Sequence, residues 1–173
     1  VPLARDDRDA LRKELARAER VMYIVDAAGE IVLDKLLIEE LGKKQSVVAV
    51  VAHRPVLLAA THTDAEAVGL PDVAEVVDPG APMLGLVLER ASTAFRETFQ
   101  AADVVIAKGE THFETLSAAN REIFFVLQAR CESVAARLEM APGSAALVHQ
   151  AGRPGSAVLE AAAAWGKSHP KKE

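Results

Sequence analysis

Cysteine is almost absent from this chain. Cys131 is the single one in 173 residues, which excludes an internal disulfide and a cysteine-based zinc site and fits a reducing, cytoplasmic setting. Long apolar runs are missing too. No stretch approaches the roughly 18 residues that a membrane span needs, and no signal peptide is recognisable ahead of the domain, so no membrane partner is expected. Positive charge is in deficit, with 20 Lys and Arg against 25 Asp and Glu and a net charge of −5. Affinity for a nucleic-acid backbone rests on neutralising phosphates, so no nucleic-acid partner is expected either. The one basic cluster, Lys171 and Lys172 beside His169, reads as a solvated tail. Gly-rich phosphate loops of the Walker or dinucleotide type are also lacking, which leaves nucleotide cofactors without support. The chain opens on Val1 rather than methionine, as a fragment or a processed product would.

What is present is a core: 50% of the residues are hydrophobic and 26% charged, enough for one soluble globular domain. Runs rich in Val and Ile alternate with segments of helical period, the pattern of an α/β, three-layer, Rossmann-like domain with a mostly parallel sheet. Strands are predicted at 21–26, 47–51, 74–77, 104–107, 123–127 and, weakly, 146–148. Helices are predicted at 7–19, 30–41, 63–68, 83–100, 112–119, 134–138 and 155–165. Residues 1–173 form a single domain in this reading, with a leading helix within 1–20 and a frayed tail at 167–173. Ligands of such sheets sit at the carboxyl ends of the strands. Asp26, the loop after Val51, and Lys108 all fall on that edge.

Three edge segments carry candidate chemistry. In "DAAGE", Asp26 ends a strand, Gly29 allows a tight turn, and Glu30 starts a helix with Asp34 one turn later on the same face. Clustered carboxylates there suit a hard cation, while Glu30 and Asp34 equally suit a helix amino terminus through its dipole. In "THTDAEAVGL", Thr61 or Thr63 is a helix cap with Asp64 in the first turn, and capping suffices as an explanation. In "ADVVIAKGETHFETL", Lys108 and Gly109 lie between a strand and a helix, where an ammonium group and backbone N–H groups hold phosphate, with Glu110 beside them. His112, at a helix start, reads as ordinary surface.

Together these segments resemble the damage-control phosphatase family, metal-dependent hydrolases of small phosphorylated metabolites, over most of the chain. The family's first motif, roughly D-N-A-G-E with an acid four residues on, is matched by Asp26, Gly29, Glu30 and Asp34. The second, P-x-L-N-D-A-T, is matched by Pro55, Leu57, Ala60 and Thr61, with Asp64 and Ala65 following. The third, A-D-x-x-x-x-K-G-Q-G-N-F-E-T-L, is matched by Ala102, Asp103, Lys108, Gly109, Phe113, Glu114, Thr115 and Leu116. A weaker match, "FFVLQARC", ends at Cys131.

The departures fall on the polar centre of each motif. Ala27 replaces the asparagine and Leu58 and Ala59 replace the asparagine–aspartate pair, while Glu110, Thr111 and His112 stand for glutamine, glycine and asparagine. Of the metal ligands the resemblance implies, only Asp26 remains; positions 27 and 59 carry no ligand. The leading expectation is therefore a catalytically silent binding or scaffold domain, natural or engineered, with no cofactor. An alternative is an active phosphatase in which Asp26, helped by Glu30, Asp64 or Glu110, holds Mn, Co, Ni or Mg, and Lys108 and Gly109 hold the phosphate of a small metabolite. A third is new acid–base chemistry on His112 with Glu110 or Asp26. Family members carry a further helical segment ahead of the first strand. Without that segment an exposed apolar patch, and with it a homo-oligomer, is an expectation of this reading.

Overall fold

A computed structural model describes residues 2–152. The predicted helix at 155–165 and the tail at 167–173 lie outside the described residues. Along the chain run β1 (Arg5–Asp6), α1 (Arg8–Leu15), β2 (Arg20–Ile24), α2 (Ile31–Gly42), β3 (Ser46–Val50), α3 (His62–Ala67), β4 (Glu75–Val77), α4 (Thr93–Ala101), β5 (Val104–Lys108), α5 (Glu110–Leu116), β6 (Ile123–Gln128), α6 (Glu132–Arg137) and β7 (Ala145–Gln150). The seven strands form one sheet in the order β1-β7-β6-β5-β2-β3-β4. Every neighbouring pair is parallel except β6 and β7. The mostly parallel α/β reading of the sequence is correct.

The layers follow from alternation along the central strands. Val21, Tyr23 and Val25 join Ile31, Ile38 and Leu41 of α2 on one face, whereas Met22 and Ile24 join Phe95 and Phe99 of α4 and Phe113 and Leu116 of α5 on the other. Both faces of β2 are buried, so its sequence is a continuous apolar run. After β2 the chain builds outward through β3 and β4; after β5 it builds the other way through β6 and β7. The carboxyl ends of β2 and β5 thus flank the point where the winding reverses, the place where such sheets form a ligand crevice.

Four local readings need correction. β1 was not foreseen, because two residues pairing with β7 leave no period to detect. β7 runs from Ala145 to Gln150, beyond the predicted 146–148, and is antiparallel to β6. The helix expected over 83–100 is confined to α4. Gly85 sits at φ 69°, outside helical space, and the Ser92 hydroxyl accepts the Phe95 N–H as an amino-terminal cap. The helix expected over 7–19 stops at Leu15, beyond which Glu19 and Arg20 donate backbone N–H groups to Asp103 at 2.8 Å as the chain enters β2.

Candidate functional site

The crevice at the reversal point begins with close backbone contacts. Beyond β2, Ala60 N–H donates to the Asp26 carbonyl at 2.9 Å and Ala28 N–H to the Leu58 carbonyl at 2.8 Å. These bonds fold the loop after β3 over the β2–α2 turn, so that Ala27 and Ala59 pair as an antiparallel bridge. Two methyl groups therefore flank Asp26 at the positions where the resemblance implies oxygen ligands. The lip of this loop is strained. Leu57 has φ 53°, a left-handed conformation that costs a non-glycine residue about 1–2 kcal/mol, and its side chain is 84% exposed.

Two cavities meet at Asp26. One, of ≈ 280 Å³, is walled by Val25, Val51, Leu84 and Leu86 and carries Asp26, His53, His112 and Arg130 as its charged or titratable groups. The second, of ≈ 460 Å³, is bounded by Asp26, Glu30, Lys108, Gly109, Glu110 and Arg130. Asp26, Lys108, Gly109, Glu110 and the two alanines are thus brought to one edge of the sheet, although the chain separates them widely.

Their partners differ from what the sequence suggests. Lys108 Nζ donates to Asp34 Oδ1 at 2.7 Å and to Glu30 Oε2 at 3.1 Å, and Tyr23 Oη donates to the same Asp34 oxygen at 2.7 Å. Glu30 and Asp34 therefore do more than favour a helix end: they anchor Lys108. Burial opposes the lysine charge, but the bonds from Asp34 and Glu30 outweigh it and raise its pKa. The Gly109 N–H is spent on the Val126 carbonyl at 2.9 Å, so it is not free for a phosphate. Glu110 accepts the Cys131 N–H at 2.7 Å. Asp64 accepts both the N–H and the hydroxyl of Thr61 at 2.8 Å, the capping role expected of it. His112 is not ordinary surface. Its side chain is 12% exposed, its Nδ1 donates to the Lys108 carbonyl at 2.7 Å, and burial pushes its imidazole below the usual range.

The Asp26 carboxylate has no hydrogen-bond partner among the described residues. His112 Nδ1 lies 4.0 Å from Asp26 Oδ1 but already serves a carbonyl. Burial raises the Asp26 carboxyl above the ordinary carboxylate range, with His112, Lys108 and Arg130 pulling it back and Glu30 adding to the rise. An acid raised on folding stabilises the fold where it is protonated, and that contribution disappears as pH climbs through the raised value. At neutral pH, ionised Asp26 is therefore a cost. Asp26→Asn is expected to stabilise the domain by about 1 kcal/mol at pH 7, with the gain shrinking towards pH 3; paired thermal melts at the two pH values measure it.

With this geometry in place, the comparisons can be set beside it. Residues 1–145 match the Damage-control phosphatase ARMT1-like domain. The chain belongs to this family. A damage-control phosphatase of Pyrococcus horikoshii is 38% identical over 142 residues, covering 80% of this chain and 50% of its own length. A damage-control phosphatase of Archaeoglobus fulgidus is 35% identical over 126 residues, covering 71% of this chain and 43% of its own length. The crystal structure of a DUF89 family protein from Pyrococcus horikoshii superposes with a TM-score of 0.83 at 36% identity, over 87% of this chain and 54% of that one. The chain spans about half the length of the curated relatives it matches.

Family members are metal-dependent phosphatases, so the residues present must be asked whether they suit a divalent ion. They do not form a donor set. Among the described residues, no group of three or more His, Cys, Asp and Glu is arranged to hold a metal. At Asp26 the neighbouring bridge offers methyl groups where Mg or Mn needs oxygen. What sequence reasoning missed is the polar side of the first cavity, His53 and the residues behind it. His53 precedes the second family motif and His62 stands at an unmatched place between its Thr61 and Asp64, and only folding joins them to Asp78.

Proposed function

We propose that this domain is a catalytically silent member of the damage-control phosphatase family that binds a small phosphorylated metabolite without a metal ion. The observation that carries this reading is the Ala27–Ala59 bridge beside Asp26, which places apolar groups where the family's ligands are expected. The cavity chemistry supports it: apolar walls suit the body of a small molecule, and Arg130, which borders both cavities, suits its phosphate. Lys108 is committed to Asp34 and Glu30, so its role in this reading is to brace the crevice. A cytoplasmic setting belongs to the same proposal. So does self-association through the outer face of α2, where Val32, Leu33, Leu36 and Leu37 are 45–67% exposed.

A second reading, retained hydrolysis with Mn, Co, Ni or Mg, has one observation in its favour. Asp26 is a partly buried carboxylate that accepts no hydrogen bond among the described residues, and a cation relieves such a group. Magnesium sites built on one or two carboxylates, water and substrate phosphate exist.

One experiment separates the two. Thermal melts of the parent chain are expected to show no shift with Mn or Co, whereas Ala27→Asn with Ala59→Asp is expected to gain one. The paired variant should be less stable than the parent without metal and recover about 2.7 kcal/mol with metal at a hundredfold excess over Kd. If the parent binds metal as tightly as the variant, the silent reading gives way to the active one.

A further inference from the structure

The first cavity has a polar wall that the family motifs do not include. His53 follows β3, His62 opens α3 and Asp78 follows β4, and all three meet. His53 Nδ1 lies 2.7 Å from Asp78 Oδ1, His62 Nε2 lies 2.9 Å from Oδ2, and the Gly80 N–H donates to Oδ1 at 2.7 Å. Burial works against the Asp78 charge, but the bonds from Gly80, His53 and His62 outweigh it and hold the carboxyl below its usual range. An ionised carboxylate has no proton to give, so both histidines are the donors. That fixes His53 as protonated on Nδ1.

His53 lines the cavity, whereas Asp78 does not. With Nδ1 turned back to Asp78, Nε2 is the ring atom presented to a ligand. His62, 44% exposed at its side chain, connects the other carboxylate oxygen to solvent. The remaining charged or titratable groups on the cavity wall are Asp26, His112 and Arg130.

We propose that His53, held by Asp78, is an oxyanion-binding group of this cavity, which takes up a tetrahedral dianion such as a phosphate monoester together with one proton on His53 Nε2. In the neutral ring Nε2 is an acceptor and repels a dianion; once protonated it becomes a donor in a charge-assisted bond. Asp78 offsets the imidazolium charge, and the bond from His62 to its other oxygen holds the carboxylate in place. No bond in the ligand is broken: a proton moves from buffer to Nε2, and the dianion binds. The inference rests on the proposed reading of the cavity as an anion site, and it adds the group, the stoichiometry and the pH dependence.

The test uses sulfate, a tetrahedral dianion that does not titrate near neutral pH, in calorimetric titrations of the full chain. Repeating them between pH 7 and 9 in buffers of different ionisation enthalpy counts the protons taken up. Binding is expected to weaken as pH rises and to be accompanied by proton uptake. His53→Gln should bind sulfate at least tenfold more weakly and take up none. Ring nitrogen NMR provides a second readout on the folded protein: the His53 Nδ1–H tautomer should persist in His62→Gln and be lost in Asp78→Asn. If sulfate binds the parent and His53→Gln alike, without proton uptake, the role of His53 is overturned while the anion-site reading stands. If neither sulfate nor inorganic phosphate binds the parent at 10-millimolar concentration (about 2.7 kcal/mol short of 0.1 mM binding), the anion-site reading falls and takes this inference with it.

Discussion

Lys108→Met is expected to cost about 3–5 kcal/mol of folding stability, because it removes one partner of a buried ion pair and leaves the other. The Asp34 side chain is only 3% exposed and that of Lys108 16%. With the ammonium gone, Asp34 would keep the Tyr23 hydroxyl, while its Oδ2, already buried without a partner, would carry charge in an apolar layer. Burial, together with the Asp34 charge, pushes the Tyr23 phenol far above its usual range, so the tyrosine remains a neutral donor and cannot replace the lysine. Urea denaturation at pH 7 measures the loss. Adding Asp34→Leu to Lys108→Met should restore most of it, since a desolvated pair exchanged for apolar groups is often neutral. A loss below about 1 kcal/mol for Lys108→Met would mean that the pair is dispensable.

The pH dependence of that pair carries its own sign. A lysine whose pKa is raised on folding contributes stability that is fully present below the unfolded value, near 10.4, and lost as pH rises through the folded one. The contribution is therefore constant across neutral pH. Loss of any activity in a Lys108 variant cannot by itself mark the residue as catalytic, since the same change loosens α2 against β5. Activity has to be compared with fraction folded.

How much of this was legible in the sequence depends on where the information lies along the chain. The sequences after β2 and β5 each concentrate a strand end, a glycine and a helix start within a few residues, and these local signals placed Asp26, Lys108 and Gly109 on the correct edge. Their partners were less legible. Glu30 and Asp34 share a helix face in sequence, but that they hold Lys108 depends on α2 lying over β5, 74 or more positions away. His53, His62 and Asp78 come from three segments without motif spacing, and only the carboxyl edge joins them. β7 was legible only as a weak strand at 146–148, and its direction depends on its insertion between β1 and β6 rather than on its own composition. The residues from Met83 to Ser92 contain helix formers, yet Gly85 and the Ser92 cap override that preference.

Gly109→Ala is expected to destabilise the domain by more than about 3 kcal/mol, through two separable terms. The first is conformational: Gly109 has φ 84° and ψ 157°, a region that side chains with a β-carbon essentially do not adopt, at about 1–3 kcal/mol. The second is steric, since a β-carbon there would lie 2.0 Å from Asp26 Oδ2 and 2.3 Å from its carboxyl carbon. Asp26 is too short to move aside without leaving the crevice. A double-mutant cycle divides the terms: in an Asp26→Ala background the steric part of the Gly109→Ala cost should vanish and the backbone part should remain. If the cost is the same in both backgrounds, Asp26 and Gly109 are not in contact, and the convergence of β2 and β5 on one site is wrong. If it is smaller with Asp26 removed, the glycine of the Lys-Gly pair is present because a carboxylate from another strand occupies the space of its side chain. That function differs from holding phosphate by a free N–H, and it fits the bond from Gly109 to Val126. The residue then sets how closely Asp26 approaches the β5–α5 turn, and through it the shape of both cavities.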